Sequence, residues 1–129
     1  MAKEVLVNDG GAPARILPFV SAAPGSAGDP VKLDTVGKTT ALAAGNKMLG
    51  VLLTDVAAVG DMANVVMGHG CVLRVNCKSD VAIGMVLSSG AARLDGIVNN
   101  TSAGDSVEVV GIALEAAGGT EQVLKCLMF

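Results

Sequence analysis

The chain is nearly free of aromatic residues: two Phe, no Trp and no Tyr in 129 residues. This removes the stacking platforms on which single-stranded nucleic acids rest. It also forces the core to be built from Val, Leu, Ile, Met and Ala, although hydrophobic residues make up 51% of the chain. Aliphatic side chains bury less area each than aromatics, so further burial in an oligomer or against a partner is expected. Charge is sparse as well, at 16% of residues with a net charge of −3, and the basic residues are spread singly. Without a basic stripe, direct nucleic-acid binding is not expected.

Long apolar runs are missing too. Gly, Asp or Arg interrupts every stretch well before the ~18 residues a membrane helix needs. The segment Met1–Asp9 lacks the apolar centre of a signal peptide. The expectation is a soluble chain made in the cytoplasm, with no membrane partner. Cysteine is limited to Cys71, Cys77 and Cys126, an odd number without metal-ligand spacing. Cys71 and Cys77 share strand parity with Leu73 and Val75, and Cys126 shares it with Leu124 and Met128. All three read as small core residues in a reducing compartment.

Glycine, in contrast, is abundant: 17 residues spread along the whole length interrupt nearly every helical window. Between the glycine, asparagine and aspartate turns lie short runs rich in Val and Leu, the pattern of an all-β chain. Strands are expected near Val5–Val7, Ala14–Val20, Pro30–Leu33, Leu49–Thr54, Ala63–Met67, Cys71–Asn76, Met85–Leu87, Ala92–Asp95, Ser106–Leu114 and Gln122–Phe129. Pro18 makes its run an edge strand or a bulge, since proline cannot donate to a ladder. One helical turn or a plain loop is expected at Ser79–Ile83.

One plan is written twice. Gly28-Asp29-Pro30-Val31 leads on to Leu49-Gly50-Val51-Leu52-Leu53-Thr54-Asp55, and Gly84-Met85-Val86-Leu87 leads on to Val110-Gly111-Ile112-Ala113-Leu114-Glu115. In each half a glycine turn launches a short apolar run, and a longer apolar strand follows. Such a duplicated strand-turn plan makes a small β-barrel or sandwich, expected over residues 14–129. Residues 1–13 precede it as an N-terminal arm or first strand. Within them Val5, Leu6 and Val7 form a strand-like triplet able to pair with a sheet edge, its own or a partner's. The last strand is apolar on both parities, which requires either a central place in a closed barrel or cover from a neighbouring subunit.

No motif assembles a catalytic, cofactor-binding or metal site. Gly37-Lys38-Thr39 resembles the end of a phosphate-binding loop, but position 32, where the leading glycine belongs, is Lys32. His69, the one histidine, stands between Gly68 and Gly70 and is expected at an exposed hairpin turn. No nucleophile or acid frames it, and no set of N or S ligands accompanies it. Asp29, Asp61, Asp95 and Asp105 flank glycine or proline, where aspartate stabilises turns through its own backbone.

The order Gly28-Asp29-Pro30-Val31, then Leu49 to Ala57, then Gly60-Asp61 before Val65-Val66-Met67-Gly68-His69-Gly70 resembles the capsid decoration (cement) proteins of tailed bacteriophages. So does Ile83 to Leu87, Arg93-Leu94, Gly104-Asp105 and Val110 to Ala117, running to the final strand. The likeness covers roughly Arg15 to Phe129. It implies a virion protein, made in the host cytoplasm, that binds the outer surface of the head and bridges subunits of the major capsid protein. It also implies a homo-oligomer, a trimer in preference to a dimer, and no enzymatic activity or cofactor. Met1–Pro13 departs from the family's usual N-terminal segment. The other readings are a small β-barrel ligand-binding protein or enzyme with its pocket between the repeated halves, and another virion component such as a head-fibre base.

Overall fold

A computed structural model describes residues 5–7, 14–43, 46–79, 81–90, 92–96, 109–117 and 123–129. Among these the chain is all-β, with no helix. Its strands are β1 (Leu6–Val7), β2 (Arg15–Val20), β3 (Pro30–Leu33), β4 (Thr39–Ala41), β5 (Gly50–Leu52), β6 (Met62–Met67), β7 (Val72–Asn76), β8 (Val86–Ser89), β9 (Leu94–Gly96), β10 (Val109–Ala113) and β11 (Val123–Met128). Each expected run contains a strand; the starts of two of them, Ser106 and Gln122, lie outside the described residues. Ser79 and Ile83 lie in turns and Val81 and Ala82 in irregular backbone, with Val81 N–H donating to Lys78 O at 3.3 Å; Asp80 is outside the described residues.

The strand not expected is β4. It closes a hairpin on β3, with Leu33 opposite Thr39. Asp34 shapes the turn: its Oδ1 accepts from Val36 N–H at 3.0 Å and from Lys38 N–H at 2.9 Å. Gly37 supplies the left-handed residue, φ 81°. The bond from Lys38 N–H, with that from Val36, holds the Asp34 carboxyl below its ordinary value of 3.8. Thus Gly37-Lys38-Thr39 is the end of a hairpin turn.

Pairing makes the duplication explicit. One sheet has the order β2-β6-β5-β3-β4. The other runs β1-β7-β11-β10-β8-β9, and without β1 it is the same permutation with every number raised by five. Bonds outside the ladders repeat as well. Gly28 N–H donates to Leu52 O and Gly84 N–H to Ala113 O, both at 2.8 Å. Leu53 N–H donates to Asn64 O and Leu114 N–H to Lys125 O, also at 2.8 Å. Gly50 and Gly111 occupy matching positions in β5 and β10. A Cβ on either would lie 2.5 Å from a backbone carbonyl, Val66 O and Leu127 O respectively, so the neighbouring strand leaves room for hydrogen alone.

The sheets do not close into barrels. Their far strands meet through one isolated parallel bridge each, Ser21 with Thr39 and Cys77 with Leu94, and a single bridge is not a ladder. Of the two expected architectures, barrel or sandwich, the open sheets are compatible with the sandwich.

The core draws on both sheets. Val51 and Val66 of the first join Leu73, Val75, Leu87, Leu94, Leu124 and Cys126 of the second. A smaller cluster of Val31, Leu52, Val56, Ala63 and Val65 lies within the first sheet, with Phe19 packed against it. The cysteines occupy the core positions their parity implies, all buried and none in a disulfide. Cys77 and Cys126 stand with sulfurs 3.9 Å apart. The hydrogen bond with Cys77, reinforced by burial, pushes the Cys126 thiol far up, which keeps it protonated and a poor nucleophile.

Candidate functional site

Val5, Leu6 and Val7 lie against the molecule's own second sheet. Leu6 pairs with Leu73 and Val7 with Val72, and Arg74 N–H donates to Val5 O at 2.7 Å. Val5 is 2% exposed and belongs to the core cluster. Of the two readings, arm or first strand, the structure has the triplet as a first strand. Pairing with a partner's sheet would require its release from β7.

The duplication also explains why the equivalent edge of the first sheet carries no further strand among the described residues. Matching Gly50 with Gly111 makes Val51 equivalent to Ile112. Through their ladders, Val66 then matches Leu127 and Ile16 matches Val72. Two residues on, Pro18 is the counterpart of Arg74. Arg74 N–H donates to Val5 O at the start of the β1–β7 pairing, and Pro18 has no N–H to offer. An edge strand carrying proline at this point resists strand addition. Pro18 therefore marks an edge strand, as its sequence implied.

What the β2 edge does present is aliphatic surface. Ile16 is 46% exposed, Val20 44%, and Met62, directly opposite Val20 on β6, 58%. Leu17 is exposed on the other face of the same strand. Contiguous exposed aliphatics of this kind mark interaction surfaces. A second apolar row crosses the outer face of the other sheet, where Val72, Leu127, Ile112 and Val86 stand in register on four neighbouring strands. Val72 is buried and the other three are half-buried. β11 is thus central in an open sheet. Its Leu124, Cys126 and Met128 parity is buried, whereas Val123 and Leu127 retain access to solvent.

The remaining expectations on polar residues resolve individually. Asp29 and Asp61 act in turns, Asp29 Oδ2 accepting from Ser26 N–H at 3.0 Å and Asp61 Oδ2 from Ala58 N–H at 3.1 Å. Asp95 is corrected: it lies in β9 and forms an ion pair with Lys78 at 3.3 Å, with both side chains partly exposed. Such a pair contributes little to stability. Asp105 lies outside the described residues. No group of three or more His, Cys, Asp or Glu able to hold a metal ion occurs among the described residues. No helix there is long and apolar enough to cross a membrane.

His69 is exposed, as expected, but not at a hairpin turn: its loop joins β6 of one sheet to β7 of the other. Sequence spacing gave no sign of its surroundings. A cavity of about 730 Å³ opens where the two repeated halves meet, and His69 lines it together with Arg15 and Lys47. These three are separated by more than twenty residues along the chain, so no local motif joins them. No family model matches the sequence, and no curated protein is significantly similar to it.

Proposed function

We propose that this chain is a structural virion protein that binds the outer surface of a tailed-phage head and stabilises the shell by bridging major capsid subunits. The ordered resemblance in both halves supports this reading. The structural observation that carries it is the exposed aliphatic edge formed by Ile16 and Val20 of β2, whose Pro18 discourages open-ended sheet extension, with Met62 of β6 opposite Val20. Such an edge suits side-chain packing against a protein partner in preference to main-chain pairing. Self-association as a trimer, or as a dimer, multiplies weak contacts through effective concentration. The protein makes and breaks no bond in this role.

The test is co-sedimentation of the purified protein with heads that lack it. The wild type is expected to pellet with heads to a saturating level. The double variant Ile16→Asp/Val20→Asp changes only solvent-exposed side chains and keeps the fold, yet weakens head binding by about tenfold or more. Undiminished binding of a folded double variant would remove the β2 edge from the interface. Failure of the wild type to bind any head would remove the head-surface role itself.

A further inference from the structure

We infer that the exposed turn Ile83-Gly84-Met85 of the second half docks on the Val20–Met62 pair of a second copy of this chain. It thereby repeats between molecules a contact that the chain already makes within itself. The inference rests on the duplication and is independent of the head-binding reading. Inside one chain, the turn Ala27-Gly28-Asp29 of the first half sits on the ends of β7 and β11 in the second. Asn76 N–H donates to Gly28 O at 2.8 Å, and Asn76 Nδ2 donates to Asp29 Oδ1 at 3.1 Å. Gly28 is buried, and a Cβ on it would lie 3.4 Å from Val123 Cγ1. Asn76 and Val123 stand directly opposite each other in their ladder.

Each participant has a counterpart in the other half. Gly28 matches Gly84 through the repeated bonds to Leu52 O and Ala113 O. Asp29 then matches Met85, whose carbonyls accept from Leu52 N–H and Ala113 N–H, both at 3.0 Å. Asn76 matches Val20 and Val123 matches Met62, a pair that also stands directly opposite. The counterparts keep the backbone and lose the cover. Gly84 has φ 81° against 95° for Gly28, yet it is exposed and a Cβ on it would meet nothing within 4 Å. Ile83 is 71% exposed, and Val20 and Met62 are exposed as well. The side chains at the two ends have also changed together. Where Asp29 bonds Asn76 within the chain, Met85 of one copy meets Val20 of the next, apolar against apolar. Val20 N–H, directed to the open edge as Asn76 N–H is, finds its acceptor in Gly84 O. Turn and receiving pair lie on different halves, so the contact is head to tail and closes into a ring or extends as a filament. Ile16 stands about 13 Å from Val20 along β2, which leaves that end of the edge for another partner.

Sedimentation velocity of the purified full chain, with no heads present, tests this directly. The wild type is expected to self-associate as its concentration rises to about 100 µM. Ile83→Asp on the turn and Met62→Asp on the receiving pair should each weaken association by about tenfold or more. Val36→Asp, on the β3–β4 turn at a position 72% exposed, should leave it unchanged. Each of the first two variants retains one intact surface. An equimolar mixture of Ile83→Asp and Met62→Asp should therefore associate more tightly than either alone and stop at a one-to-one pair. Thermal melts establish that all three variants are folded. A wild type that stays a single chain would overturn the inference. So would an equal loss in Val36→Asp, or a mixture that associates no better than its components.

Discussion

Replacing Gly111 by alanine is expected to lower the free energy of unfolding by about 2–3 kcal/mol, the cost of overpacking a filled interior. Gly50→Ala should cost nearly the same. In both cases the new Cβ would sit 2.5 Å from a carbonyl oxygen of the neighbouring strand. The opposing atom is backbone, so relief requires moving β6 or β11, each buried in a core cluster. At Gly37 and Gly60 a Cβ meets nothing within 4 Å. Their φ values of 81° and 92° leave only the left-handed backbone penalty, about 1–2 kcal/mol. Urea unfolding of the four variants should therefore give two large and closely matched losses and two smaller ones. A small effect at Gly111 beside a large one at Gly50 would contradict the equivalence of the two halves.

The second large effect lies at the N-terminus. Deleting residues 1–9 should leave a folded protein that is less stable by about 2–4 kcal/mol. Burial of a valine side chain contributes about 1.5–3 kcal/mol, and the bond from Arg74 N–H to Val5 O about 0.5–1.5 kcal/mol. Val5→Asp should cost at least as much, because its carboxylate enters a core position with no partner. The truncated chain also bares the β7 edge, whose Arg74 N–H is then open to pairing with another copy. Analytical ultracentrifugation at rising concentration should accordingly show more self-association for the truncated chain than for the full one. An unchanged urea midpoint would mean that β1 is peripheral to the core, contrary to the 2% exposure of Val5.

Much of this architecture was legible in the residues. Strands announced themselves because glycine and aspartate turns cut the chain into runs of strand length, and the duplicated order pointed to a small barrel or sandwich; the shared permutation of the two sheets emerged only from the pairing. Parity alone assigned Cys71, Cys77 and Cys126 to the core. Strand β4 escaped notice because Thr39-Thr40-Ala41 is short and follows a turn whose decisive contacts come from Asp34, a side chain no strand pattern weighs. Barrel and sandwich share the same alternation, and only the registers show that Ser21–Thr39 and Cys77–Leu94 remain single bridges. The candidate surfaces were the least visible. Ile16 and Val20 look like core residues in sequence, and their exposure follows from β2 standing at an edge; Met62 is exposed where β6 begins. Arg15, Lys47 and His69 line one cavity only in the folded chain. The Arg74–Pro18 equivalence needed the ladders of both sheets to be read together.

The most direct test of the head-binding role is cryo-electron microscopy of heads reconstituted with the purified protein. The account predicts added density of this two-sheet shape on the outer surface, repeated with the symmetry of the shell and seated over boundaries between major capsid subunits, with the β2 edge turned toward the shell. Heads whose outer surface is unchanged at saturating protein would contradict it.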